Sequence, residues 1–465
     1  MRALSAILVG CALAVAVTTA QSGPNDARAR DIFKELIEIN TTESVGNVTK
    51  AAEAMAARFK AAGFAATDIR ILVPDADARK GNLVVRYRGT GARRPLLLLA
   101  HLDVVEAKRE DWSVDPFTFL EKDLYFYGRG TTDDKAMASQ FVANLIRLKQ
   151  EGFMPDRDLI LALTADEEGG PVNGVDWLVR NHKDLIEAEF AINEGGGGTI
   201  RKGKYRTNEI QASEKVYQDF KLEVTNSGGH SSLPVKDNAI YHLSAGLARL
   251  AAFEFPVEMN EITRGYFDKS ATVESDPKVA ADMRAVARSN PDLAAAARLS
   301  ALLPYYNSLM RTTCVATRLL GGHANNALPQ LATANVNCRI LPGVSPSGIK
   351  DKIVEVLADP AIKVSFVDEA RPSKPSALRP DVVGSVESLT KDMFPGVVVV
   401  PVMSTGATDG LYLRNGEIPT YGVDGNFGDI DDVRAHGRDE RIGVKQYFEG
   451  LEFMYRLIKA LAGRP

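Results

Sequence analysis

The sequence predicts an α/β fold: a mostly parallel sheet covered by helices, with a small ferredoxin-like α+β domain inserted into it. Three observations carry this. Unbroken apolar runs such as "LLLLAH" and "LILALT" read as strands buried on both faces, the habit of parallel sheets. Stretches with helical spacing separate these runs, as βα units require. Near Ser213 the order changes to strand, helix, two strands, helix, strand, the succession of a ferredoxin-like unit.

Taken in order, residues 1–20 stand apart from the fold. Arg2 precedes the apolar run "ALSAILVGCALAVAV", and "TTAQSG" offers Thr18 and Ala20 as small residues before Gln21. This is the pattern of a cleaved signal peptide and implies a periplasmic or secreted protein. "LVGC", ending at Cys11, also fits a lipoprotein signal, but the residues after Cys11 stay hydrophobic, which disfavours it.

From Asn25 to about Gly63 the apolar positions Ile32, Leu36, Ile37, Ala51, Met55, Ala56 and Phe59 are helically spaced. "GNLVVRYRG" and "RPLLLLAHLD" follow as strands. "TTDDKAMASQFVANLIRLKQEG" is a loop opening a helix that Gly152 ends. "DLILALTADEEGG" is a buried strand, "GVDWLVRNHKDL" a helix and "AEFAINEGGGG" a short strand. The small domain then takes "VYQDFKLEVTN", "NAIYHLSAGLARLAAF", "RTTCVATRLL", "LATANVNCRIL", "SGIKDKIVEVLA" and "IKVSFV". An Ala-rich helical stretch, Glu254 to Met310, lies within it, and "DEARPSKPS" is a linker. The boundaries are 21–212 and 375–465 for the two parts of the large domain and 213–374 for the inserted one.

A chain of 465 residues with 25% charged residues and net charge −4 is an ordinary globular chain, with no electrostatic case for nucleic acid or an anionic membrane. After residue 20 no apolar run is long enough to span a bilayer. Cys314 and Cys338 are then the remaining cysteines. An oxidising compartment permits them to pair, and two buried thiols are the alternative.

The chemistry gathers at strand ends. "LLLLAHLD", "LILALTADEE" and "EFAINE" each finish in acidic or imidazole groups, and "YGRGTTDDK" sets Asp133 and Asp134 before a helix. In an open parallel sheet the carboxyl ends of strands form the ligand crevice. That brings together His101, Glu167, Glu168, Glu194 and an aspartate. Arg129 and Lys135 are too few to neutralise them, so divalent metal is the physical solution. Imidazole with carboxylate suits zinc, and cobalt or manganese less specifically. Four or more carboxylates favour two ions. A second histidine comes from "RAHGRDER" as His436.

These segments, with "GGHSSLP", "NALP", "NCRILPG" and "GATDG", resemble the dinuclear zinc exopeptidases and amidohydrolases. That family includes bacterial glutamate carboxypeptidase, aminoacylase, carnosinase and succinyl-diaminopimelate desuccinylase. The matching segments run from about residue 80 to 440. The resemblance implies a di-zinc hydrolase domain with an inserted lid or dimerisation domain. Asp133 would bridge two zinc ions, with His101 and Glu194 on one and Glu168 and His436 on the other. Asp103 would accept the free N–H of His101, and Glu167 would act as general base. His230 would reach a partner subunit's site as oxyanion donor, which implies a homodimer through the inserted domain. Asn326, Arg339 and Thr408 match substrate-contacting positions, although Leu411 stands where many relatives have arginine and Arg414 matches a later position. His182 and His242 match nothing, and His323 is unassigned.

The resulting expectation is an exported metal-dependent exopeptidase of carboxypeptidase or dipeptidase type. An N-acyl-amino-acid amidohydrolase is the alternative, and a non-catalytic binding relative is more remote because Glu167 and all five ligands are present. A biosynthetic desuccinylase does not fit an exported chain.

Overall fold

The computed structural model describes residues 23–463; the expected signal peptide at 1–20 lies outside them. At the centre of a ten-stranded sheet, four strands run parallel in the order Leu159–Thr164, Leu96–His101, Phe190–Asn193 and Thr420–Gly422. Asn82–Tyr87 and Ile69–Leu72 extend one side in antiparallel fashion. On the other side the long strand Lys204–Glu214 runs antiparallel to Thr420–Gly422 and to Gly197–Arg201. Val398–Ser404 pairs parallel with it. The sheet is thus parallel where the apolar runs predicted it and mixed at its flanks.

Period-two alternation explains how unbroken apolar strands serve two cores. Leu96, Leu98 and Ala100 face one cluster with Phe33, Phe59, Phe141 and Tyr447. Leu97 and Leu99 face the other, with Leu178, Leu413 and Ile418. The first face is covered by helices Pro24–Glu38, Val48–Ala61, Lys135–Gln150 and Val444–Ala462, so the N-terminal helical stretch is two helices. Phe33 stacks on Tyr447 at 4.7 Å between ring centroids. Gly152, in the left-handed region at φ +69°, ends helix Lys135–Gln150 as expected.

The small domain is a four-stranded antiparallel sheet ordered Thr313–Gly321, Leu331–Ile340, Val216–Thr225 and Lys363–Phe366. Helices Ala239–Ala252 and Pro346–Leu357 pack on it. Cys314 and Cys338 face each other across adjacent strands and are disulfide-bonded. The Ala-rich stretch forms four helices between Glu261 and Met310. Their buried residues, including Phe267, Met283, Leu299 and Leu309, belong to the core of the large domain, and helix Glu261–Ser270 lies against Val398–Ser404. The reason is apolar demand: the strand "VVVPVMS" is buried along most of its length and needs a cover that the small domain does not reach.

Candidate metal centre

Each site residue sits where a rigid element leaves the core. His101 ends its strand, 2% exposed. Glu167 and Glu168 follow Leu159–Thr164, Glu194 follows Phe190–Asn193, and Asp133 lies in the loop before helix Lys135–Gln150. His436 comes from a loop 303 residues further on. Asp166 fixes the turn into Glu167: its φ is +60°, its carboxylate bonds buried Lys80, and it accepts the Val172 N–H at 3.1 Å.

The two oxygens of Asp133 look in different directions. Oδ1 lies 2.9 Å from His101 Nε2, and Glu194 Oε2 is 3.9 Å from the same nitrogen. Oδ2 lies 3.0 Å from His436 Nε2, which is also 3.0 Å from Glu168 Oε2. The result is two donor sets, His101–Asp133–Glu194 and Asp133–Glu168–His436, with ligand atoms in each set within 4.8 Å of one another.

Electrostatics favours divalent cations in both sets. Among the described residues the charged neighbours paired with Asp133, Glu168 and Glu194 are the two histidines. Glu168 Oε1 is buried without a hydrogen-bond partner. Burial and then like charge hold the Glu167 and Glu194 carboxyls well above their ordinary range. Burial acts upward on Asp133 too, but the two imidazoles outweigh it and pull it down. The His436 imidazole is pushed up to about 10 by its bonds to Asp133 and Glu168. One imidazole and two carboxylates per set, sharing a carboxylate, is a donor chemistry that zinc, cobalt or manganese accept.

A buried pair not singled out in the sequence joins the two segments. Glu440, fully buried, accepts from Arg129 Nη1 at 2.6 Å and Gly130 N–H at 3.0 Å through Oε2. Through Oε1 it accepts from Thr132 N–H at 2.7 Å, Thr132 Oγ1 at 2.8 Å and Asp133 N–H at 3.3 Å. Arg129 Nη2 in turn donates to the carbonyls of Gly437, 2.9 Å, and His436, 3.4 Å. The sequence signal was an arginine in "GRG" and a glutamate four residues past His436.

Asp103 departs from expectation in detail. His101 Nδ1 lies 3.0 Å from the Asp103 backbone carbonyl and 3.6 Å from its carboxylate, so the carbonyl orients the ring. The carboxylate instead accepts the Glu168 N–H at 3.0 Å, which positions a donor of the second set.

The donor sets open into a cavity of about 590 Å³. Glu167, Lys215, Tyr217, Arg339, Arg371 and Tyr412 are among its walls. Arg339 reaches it from strand Leu331–Ile340, its guanidinium 4.7 Å from the Tyr217 ring centroid. Thr408 lies outside these walls, its N–H and hydroxyl bonded to buried Glu214 at 3.0 and 2.8 Å, with Arg414 on the other Glu214 oxygen at 2.6 Å. His230 and Asn326 are brought together on a two-stranded ribbon, exposed and away from the cavity walls. His230 Nδ1 accepts the Ser232 N–H at 3.2 Å and lies 2.7 Å from Ser232 Oγ. His242 bonds Asp237 and Asp359 and His182 packs on Trp177.

A sequence profile of peptidase family M20/M25/M40 matches residues 97–460. A probable carboxypeptidase S-like 2 from Dictyostelium discoideum is 30% identical, covering 81% of this chain and 74% of the relative. The human N-fatty-acyl-amino acid synthase/hydrolase PM20D1 is 29% identical over 79% of this chain and 74% of its own. Among solved structures, an M20 family metallo-carboxypeptidase from Sulfolobus solfataricus superposes with a TM-score of 0.67 at 18% identity, covering 93% of this chain and 99% of that one.

Proposed function

The chain belongs to peptidase family M20/M25/M40, a hydrolase of the metallopeptidase and amidohydrolase class, and within it we propose a metal-dependent exopeptidase of carboxypeptidase or dipeptidase type. The carrying observation is Asp133 facing two donor sets with Glu167 on the wall of the same cavity. His101 and Glu194 would hold one zinc ion, Glu168 and His436 the other, and Asp133 both. Cobalt or manganese would fit the same donors. When bound, the two ions polarise the scissile carbonyl and acidify the attacking water.

This chain's own groups do the rest. Glu167 takes the proton from the attacking water and delivers it to the leaving nitrogen. The Asp103 carbonyl holds His101 in one tautomer, and its carboxylate holds the Glu168 backbone. Arg339, with no carboxylate in ion-pair contact among the described residues, offers its fork to a substrate carboxylate. Thr408 supports the wall through Glu214 rather than by direct contact.

His230 supports a dimer. It is exposed and outside the walls of its own cavity, as an oxyanion donor to a second copy would be. The edge strand Thr313–Gly321 exposes Val315, Leu319 and Leu320, each about 60% accessible, and Tyr241 and Leu233 are exposed in the same domain. Pairing of two such edges would cover them. Residues 1–20 would direct export, to a compartment where the Cys314–Cys338 bond persists. Among the described residues no helix is long and apolar enough to cross a membrane.

The test is metal content together with hydrolysis of a matched set: Xaa-Xaa dipeptides, N-blocked peptides with a free C-terminus, and N-acetyl amino acids. Two metals per chain, cleavage of peptides and loss of turnover on chelation support the proposal. Activity on the acyl amino acids alone would transfer it to the N-acyl-amino-acid amidohydrolases, which the likeness to the human N-fatty-acyl-amino acid hydrolase keeps open. Neither metal nor turnover would leave a binding protein.

A further inference from the structure

The cavity at the metal centre does not end at the interdomain linker. A second cavity of about 990 Å³ adjoins it, and Glu369, Arg371 and Tyr412 line both. Side chains therefore form part of the shared wall. Arg371, on the linker after the small domain, donates from Nη1 to Tyr412 Oη at 3.2 Å and to Asp176 Oδ2 at 3.2 Å. The Arg371 side chain is 51% exposed, so this pairing contributes at most about 1 kcal/mol and gives way readily. Nearby on the linker, Glu369 and Pro372 are also exposed.

The walls beyond the partition carry more polar than apolar surface, with Val179, Ala370, Pro372 and Tyr412 among the apolar contributors. They carry Asp176, Arg180, Asp368, Glu369 and Arg371, and the largest aliphatic side chain among them is Val179. Asp176 is taken by Arg180, 2.9 Å away, whereas Asp368 and Glu369 have no lysine or arginine in ion-pair contact among the described residues. An aliphatic tail gains about 0.8 kcal/mol per methylene only where it meets apolar surface, and here it would strip water from charged groups. A peptide backbone can replace that water with its own donors and acceptors.

We propose that this second cavity is a subsite for the acyl side of the scissile bond, and that it takes a hydrophilic peptide extension rather than a fatty chain. The inference rests on the exopeptidase reading: with the substrate carboxylate at Arg339, the acyl side is the arm left to pass Arg371 and Tyr412. Substrates would then be peptides of three or more residues with a free C-terminus. A cationic group near the N-terminus would be favoured by Asp368 and Glu369.

The experiment is a kcat/KM series on the metal-loaded full chain with one C-terminal residue held constant, preceded by acetyl, by Gly-Gly, by Lys-Gly or by a dodecanoyl chain. The expected order places Lys-Gly and Gly-Gly about tenfold or more above acetyl, with dodecanoyl no better than acetyl. Asn415 also lines the second cavity, and filling it with Asn415→Trp should lower the peptide-to-acetyl ratio about tenfold. Rates that rise with aliphatic length, or a ratio unmoved by Asn415→Trp, would overturn the subsite while leaving the exopeptidase reading intact. No hydrolysis of any member would overturn that reading, and this one with it.

Discussion

Glu440→Gln probes whether the buried Arg129–Glu440 pair holds the two ligand-bearing loops together. Both carboxylate oxygens act only as acceptors: Oε2 takes two donors and Oε1 takes three. An amide has one accepting end, so whichever end becomes NH2 is turned towards donors it cannot satisfy. In either orientation the neutral amide leaves the buried guanidinium without its countercharge, and with the NH2 towards Arg129 it also removes the acceptor. If the NH2 faces Thr132 and Asp133, the loop that presents Asp133 loses its anchor. Breaking a buried pair from one side costs about 3–5 kcal/mol, and hydrogen bonds to a charged group contribute about 1.5–3 kcal/mol each. The two figures describe overlapping contacts, so about 3–5 kcal/mol is the expected loss. A fall of the thermal midpoint on the order of 10 °C follows. Arg129 also bonds the carbonyls of His436 and Gly437, so the Asp133–Glu168–His436 set should lose metal first, seen as stoichiometry falling from two towards one on dialysis. A Glu440→Gln protein that melts within a degree or two of the parent and keeps both ions would refute this account.

Four further outcomes follow from the same structure. Glu167→Gln should retain two metals per chain yet slow turnover about 10²–10⁴-fold; wild-type turnover would remove Glu167 from the proton path. Mixing His230→Ala with Glu167→Ala chains should restore about a quarter of wild-type activity if His230 acts across a two-fold interface, and no recovery would argue for a site complete in one chain. Burial pushes the Lys215 ammonium down to about 7, so between pH 7 and 10 the unfolded chain binds a proton that the native chain does not. The contribution of Lys215 should therefore rise with pH in that window, by at most about 1.4 kcal/mol per unit, against the opposite contribution of His436, whose imidazole is pushed up to about 10. Lys215→Met should lower the slope of stability against pH relative to the parent in urea titrations; an unchanged slope would contradict the assignment. Reducing the Cys314–Cys338 bond, which closes a loop with a sequence separation of 24, should cost the small domain about 3.5 kcal/mol, read from denaturant midpoints with and without reductant.

What the sequence disclosed and what it withheld divide along physical lines. The central strands were legible because burial on both faces leaves an unbroken apolar run, and the donor residues because a histidine or glutamate directly after such a run has few other uses. Of the flanking antiparallel strands, Asn82–Tyr87 was legible in "GNLVVRYRG", whereas Ile69–Leu72 and Lys204–Glu214 carry no such mark. Helices 261–310 were legible as helices, but which sheet they cover depends on exposed apolar area at Val398–Ser404, a property of the assembled sheet. Asp103 lies beside His101, while its division of labour between carbonyl and carboxylate depends on fractions of an ångström. Glu440 escaped notice because a loop carboxylate that accepts backbone N–H groups has no periodicity. Thr408 matched a motif, yet its hydroxyl is already engaged by Glu214.

The way the large domain is gathered from distant parts of the chain bears on how the molecule comes into being. Tyr447 donates to the Ala29 carbonyl across 418 residues, and Thr420–Gly422 supplies the strand joining Phe190–Asn193 to Lys204–Glu214. During synthesis the small domain's own segments, ending at Phe366, are all present while this sheet still shows unpaired edges. Contacts of such long separation form slowly and leave apolar surface uncovered meanwhile. The large domain therefore completes only once helix Val444–Ala462 is available to pack, and truncation within that helix should cripple a domain whose other core helices lie hundreds of residues earlier.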